Sequence, residues 1–260
     1  MLFDLVFIID STASMGNLIN TAKRQMNEMV NRVKDSDVNA KYSLISFRDH
    51  PPNEDSWASK IFADRVKDLE IISSIKKLNL GNGGDGAESG LDGIAELDNL
   101  SWNNEQSIRL GFFIGDAPIK GTEGAQIHSR GNVNINKNKQ CPCGLTLHDA
   151  ERTLEGIGID LHGLIVNSST PVKNSFVQFC KTVSPSNNNL ALGQVLEFVQ
   201  RTKKMYDWST DSLLPELEKD PRIKLSDLSR NLKVNGESVN YGIEILNRFG
   251  YTEHLIGGTI

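Results

Sequence analysis

Two apolar runs constrain this chain more than any other feature. LVFII at residues 5–9 is continuously hydrophobic, rich in β-branched and aromatic types, and is followed at once by Asp10. IRLGFFIGDAP at 108–118 is a second apolar run that ends in an acid, Asp116. Short runs of this composition suit strands buried on both faces. Helical spacing follows the first run, with Leu18, Ile19, Ala22, Met26, Met29, Val30 and Val33 on one stripe over 17–34. AKYSLISF at 40–47 alternates as a strand, 58–62 reads as a short strand and 66–78 as a helix. Further helices are expected near 87–98, 146–156, 171–182 and 190–204, with a strand over 159–166. Strands alternating with helices imply an α/β architecture, a doubly wound and mostly parallel sheet covered on both sides. In such a sheet ligands sit outside the carboxyl ends of the strands, at the topological switch point. Asp10 and Asp116 both occupy carboxyl ends.

The bulk numbers fit this picture and exclude others. With 260 residues, 38% hydrophobic and 23% charged, the chain can build one sizeable core and an appendage. A net charge of -5 gives no overall attraction to nucleic acid or anionic lipid. Three cysteines do not make a disulfide framework. The opening residues lack a basic region and Asp4 interrupts their apolar run, so they do not read as a signal peptide. No stretch has the length of a membrane span. The expectation is a soluble, cytoplasmic protein with no membrane partner.

The stretch DSTAS places Asp10, Thr12 and Ser14 on alternate residues directly after the first strand. A tight loop there can turn one carboxylate and two hydroxyls toward a common point. Asp85, in the Gly-rich GNGGDGAES loop at 81–89, and Asp116 can add carboxylates from two other loops. The set is all oxygen, which selects Mg²⁺, Ca²⁺ or Mn²⁺ over softer ions. Hydroxyls and water leave such an ion under-neutralised, so it can accept an acidic side chain from a partner. Taken alone, DSTAS also suits a helix cap and GGDG a turn. Their coincidence at strand ends favours a metal site.

DSTAS resembles the D-x-[ST]-x-S signature of the metal-ion-dependent adhesion site of von Willebrand factor A (vWA) domains. The order of elements over residues 2 to 204 is similar to that Rossmann-like family throughout. The resemblance implies that Asp10, Thr12, Ser14 and Asp116 surround Mg²⁺. Where the family usually has Thr in the second loop, this chain has Asp85, as in subfamilies with a GGDGPE-like loop. An extra carboxylate there would raise metal affinity and weaken the ion's attraction for an acidic partner. Intracellular relatives commonly act as adaptors or scaffolds beside ATPases or kinases, so the implied role is metal-dependent protein–protein interaction without catalysis. Two alternatives stand beside it: a DNA-binding regulator and a metal-dependent phosphoester hydrolase. The hydrolase reading has no G-x-x-x-x-G-K-[ST] loop and no G-x-S-x-G elbow to rest on.

A polar, irregular excursion occupies 119–145. Near its end CPCGLTLH brings together Cys141, Cys143 and His148, and His128 lies in the same excursion; two thiolates and two imidazoles can hold Zn²⁺. The C-x-C spacing is tighter than the usual C-x₂₋₄-C pair, and the alternative is that both cysteines merely open the next helix. Cys180 and His162 read as core residues. Residues 205–221 read as a connector between a vWA-like domain at 1–204 and a small winged-helix-like module at 222–260. In that module a short strand, helices capped by Ser226 and Ser238, and a hairpin at Gly257–Gly258 are expected. It holds five basic and four acidic residues, a net of one positive charge, which favours packing or protein binding over nucleic acid. Asn235, Asn240, Tyr241 and Arg248 are the residues to test for base or phosphate contact.

Overall fold

The computed structural model describes residues 2–35, 38–51, 54, 56–82, 86–103, 107–125, 140–166, 169–185, 190–248 and 251. It divides into two compact units, one holding residues 2–103 and 108–195 and the other residues 196–260 with a few residues near 104–107.

The first unit is built on a six-stranded sheet. Its strands are β1 (Leu2–Asp10), β2 (Asn39–Phe47), β3 (Ser59–Val66), β4 (Ser107–Gly115), β5 (Asp160–Ile165) and β6 (Thr182–Pro185). They lie in the order β3-β2-β1-β4-β5-β6. β1 and β2 pair in parallel from Leu2↔Asn39 to Asp10↔Phe47, β4 pairs in parallel with β5, and β5 pairs in parallel with β6. β3 is antiparallel to β2. The order runs outward from β1 to one edge and then resumes at β4 on the other side of β1. The switch point therefore lies between β1 and β4, whose carboxyl ends carry Asp10 and Asp116.

Both faces of the sheet are covered. α1 (Leu18–Asp35) buries Ile19, Ala22, Met26, Met29, Val30 and Val33, the stripe expected from its spacing. α2 is Asp68–Lys77 and α3 is Gly90–Ala95, extended by one tight turn over Glu96–Asn99. α3 lies hard against the sheet: a Cβ on Gly93 would come within 3.0 Å of Ile8 and 3.2 Å of Phe47. Val6, Ile8, Ile45, Phe47, Ile94 and Phe113 form the heart of that layer. Phe113 stacks on Phe47 with centroids 5.0 Å apart and meets Phe176 edge-on at 4.9 Å. α4 (Leu147–Ile157) begins at a capping box between Thr146 and Asp149 and ends at left-handed Gly158.

One expectation changes here. The helix expected over 171–182 is α5, Thr170–Phe176 only. The Cys180 N–H folds back to the Phe176 carbonyl at 2.8 Å, and the chain then forms β6, a strand too short to announce itself. Within the excursion after β4, Ile119 and Ala125 are buried together with the polar Lys120 and Thr122. Cys180 and His162 are buried as expected, His162 with its Nδ1 2.8 Å from Thr182 Oγ1.

The second unit is helical among its described residues. α6 (Leu190–Trp208) runs into a π-helical turn at Ser209–Leu213 and then α7 (Leu214–Lys219), so 205–219 is helix rather than an open connector. The Ser209 and Thr210 hydroxyls bond back to carbonyls of the preceding turn, and Pro215 has no N–H to continue the regular ladder. α8 (Leu225–Leu232) and α9 (Gly236–Arg248) pack Leu228, Val239 and Leu246 with Leu213 and Trp208. The caps differ from expectation. Ser226 lies inside α8, behind Lys224, and the Asn235 carboxamide, not Ser238, caps α9 by accepting the Ser238 N–H at 2.8 Å. Residues 221–224 form no strand, and the hairpin at Gly257–Gly258 lies outside the described residues. Asn235 and Asn240 are exposed, Tyr241 is half-buried, and Arg248 closes α9.

Candidate metal centre

β1 delivers Asp10 to the carboxyl edge of the sheet, and a 3-10 turn at Ala13–Met15 curls the chain back over it. Gly16 leaves that turn at φ +36, a conformation that side chains resist. Asp10 Oδ1 accepts the Thr12 N–H at 2.8 Å and the Thr12 hydroxyl at 2.7 Å. Thr12 Oγ1 lies 3.0 Å from Ser14 Oγ, and the Ser14 hydroxyl donates to Asp116 Oδ1 at 2.9 Å. Four of the expected ligands thus form one continuous chain of oxygens across the switch point. Each hydroxyl has a single proton, so either one can donate across the 3.0 Å Thr12–Ser14 approach only by releasing its carboxylate. Asp10 Oδ2 is buried and has no hydrogen-bond partner.

The electrostatics follow from burial. Desolvation pushes the Asp10 carboxyl up to about 7, against the Thr12 N–H and helped by the charges of Asp116 and Asp49. Asp116 is raised in the same direction by desolvation, opposed by the Ser14 hydroxyl.

Asp85 lies outside the described residues, but both flanks of its loop reach this edge. The Gly81 N–H bonds to the Ser11 carbonyl at 2.8 Å. On the other flank Glu88 and Ile119 form a parallel bridge, with Glu88 N–H to Pro118 O and Lys120 N–H to Glu88 O both at 2.9 Å.

Sequence reasoning missed the layer beneath. Asp49, fully buried, accepts the Ser89 hydroxyl at 3.0 Å and the His50 N–H at 2.7 Å, and it pairs with the buried Lys120 ammonium. Arg48 reaches Ser11 Oγ at 3.1 Å and Glu54 at 3.6 Å, with both charged side chains buried. The available signal was RDH at 48–50, three ionisable residues set directly against the apolar end of β2.

The sulfur residues gather elsewhere, with different partners from those expected. Cys141 and Cys143 are 3.1 Å apart at sulfur. His148 is not with them: as the second residue of α4 it points outward, with an 84% exposed side chain 4.0 Å from Glu151. His128 lies outside the described residues. In their place stand His50 and Asp92.

Residues 4–130 match the family model for the von Willebrand factor A domain. No curated protein matches the chain. Among solved structures, proximal thread matrix protein 1 from the mussel byssus, with its MIDAS motif occupied by zinc, is similar at 12% identity and a TM-score of 0.50. That similarity covers 76% of this chain and 45% of the mussel chain, so this chain spans less than half the length of that protein. The SpRpn10 VWA domain is similar at 13% identity and a TM-score of 0.49, over 75% of this chain and 94% of that one. The family match and the order of the sheet together support a von Willebrand factor A domain, with the α/β fold of that family, in this chain.

Proposed function

We propose that this chain is an adaptor or scaffold module that binds a protein partner through a divalent cation held by Asp10, Thr12, Ser14 and Asp116, without catalysing a reaction. The observation that carries the reading is the buried, unpartnered Oδ2 of Asp10 beside the hydroxyls of Thr12 and Ser14 and the carboxylate of Asp116. Such an arrangement is unfavourable by itself and is relieved by a cation. The donor set is entirely oxygen, which favours Mg²⁺, or Ca²⁺ or Mn²⁺. Asp85 is assigned to the same site as a further carboxylate. The zinc in the mussel protein's motif is support, at the level of fold, for a divalent ion at this edge.

These residues would hold the ion, and the ion would supply a Lewis-acidic position for a partner's Asp or Glu. Ser14 is exposed, so the site opens outward on its side. The partner is read as a component of an ATPase- or kinase-containing assembly in the cytoplasm. Among the described residues no helix is long and apolar enough to cross a membrane. The carboxyl-terminal helices are read as a winged-helix-like module that packs or binds protein, given its single net positive charge.

The test is a binding measurement on the full chain. A natural partner should be retained in Mg²⁺ and lost on chelation, and Asp10→Ala should abolish retention in Mg²⁺. Retention unaffected by both changes would overturn the proposal.

A further inference from the structure

Nε2 of His50, a carboxylate oxygen of Asp92 and the sulfurs of Cys141 and Cys143 all lie within 4.8 Å of one another. They come from three places: the exit of β2, the first turn of α3, and the return of the 119–145 excursion. Cys141 Sγ touches the other three residues, at 2.8 Å from Asp92 Oδ2, 3.3 Å from His50 Nε2 and 3.1 Å from Cys143 Sγ. His50 Nε2 is in turn 3.1 Å from Asp92 Oδ1. A thiol is a weak hydrogen-bonding group, so hydrogen bonds alone are a poor reason for this convergence.

The backbone around the sulfurs is organised as well. Gly144 N–H closes a turn onto the Cys141 carbonyl at 2.9 Å, and Gly144 sits at φ +84, where a side chain is strained.

We propose that His50, Asp92, Cys141 and Cys143 form a tetrahedral zinc site that fastens the return of the excursion to the end of β2 and to α3. Two thiolates and an imidazole select zinc over the hard ions suited to the Asp10 cluster. Four protein donors close the shell, as in structural rather than catalytic zinc sites. Zn–S bonds of about 2.3 Å and Zn–N or Zn–O bonds of about 2.1 Å set the edges of such a tetrahedron near 3.3–3.8 Å. Those edges exceed the observed contacts of 2.8–3.3 Å by about 0.3–0.8 Å, and all four donors already lie within 4.8 Å of one another, so side-chain adjustments of that size seat the ion. Cys143 is the exposed member, so the site is open to exchange from that side.

The test uses the full chain purified under reducing conditions. After dialysis it should retain one zinc per chain, and X-ray absorption at the zinc edge should show two sulfurs at about 2.3 Å. Cobalt in place of zinc should give the intense thiolate-to-metal charge-transfer band. Cys143→Ser, at an exposed position, should weaken zinc binding by more than the roughly 10–100-fold that an outer-shell loss costs. Asp116→Asn should leave the sulfur-bound zinc in place. The proposal is overturned if wild-type protein retains no zinc, if its zinc shows only oxygen and nitrogen neighbours, or if Cys143→Ser holds zinc with an unchanged shell. Should Cys143→Ser fail to fold, the absorption spectra of the wild type decide alone.

Discussion

The Ser14 hydroxyl donates to Asp116 at 2.9 Å across 102 residues of sequence. It joins the loop after β1 to the loop after β4 at the point where the winding of the sheet reverses. Ser14→Ala removes both this bridge and one oxygen donor. Divalent-cation affinity, measured by calorimetry, should fall about tenfold or more while the fold is kept. Asp116→Ala should abolish the cation-dependent rise in thermal midpoint altogether.

Asp10 is costly to keep charged. Its folded pKa of about 7 exceeds the ordinary 3.8, so between those values the folded state binds the proton that the unfolded chain has released. Without a cation, stability therefore falls as pH rises through that window and levels off above it. Asp10→Asn removes this loss. Urea unfolding in chelator at pH 8 should find Asp10→Asn more stable than wild type by a few kcal/mol, on the order expected for relieving a buried charge. The same variant should gain nothing from Mg²⁺. A wild type as stable as Asp10→Asn in chelator would mean that the carboxylate is already compensated.

Lys120 and Asp49 are paired with both side chains buried. Lys120→Met leaves Asp49 as an uncompensated buried charge, and its field also reaches Asp10. The expected loss is about 3–5 kcal/mol by chemical denaturation. The double variant Lys120→Met with Asp49→Asn should recover much of it, because the isolated charge is then gone.

His162 stacks over Phe112 and is held below its ordinary pKa by burial. In acid the unfolded chain takes up a proton that the folded state refuses. Its contribution to stability is complete above the ordinary value of 6.5 and is lost as pH falls toward the depressed folded value. Comparing His162→Gln with wild type at pH 7.5 and pH 5.5 should show a difference that shifts in favour of the variant at the lower pH. A constant difference would contradict this assignment.

What could be read from sequence was whatever local pattern decides. Continuous apolar runs identified β1 and β4, and a single helical stripe identified α1, because burial on two faces or on one leaves a distinct period. Asp10, Thr12, Ser14 and Asp116 were legible because they abut those runs. His50 and Asp92 were not, since they reach the cysteines only after β2 and α3 have packed. The helix through 205–219 was hidden by Asp207, Ser209, Thr210 and Pro215, which read as a connector but are accommodated by a π turn. β6 was hidden by its length of four residues.

The central claim is that Asp10, Thr12, Ser14 and Asp116 share one hard divalent ion. Crystals of the full chain grown in millimolar Mn²⁺ and measured for anomalous scattering test it most directly. The account predicts a single strong manganese peak within bonding distance of the Asp10 carboxylate and the Ser14 hydroxyl. An ordered Asp10 cluster with no anomalous peak beside it at that concentration would contradict it.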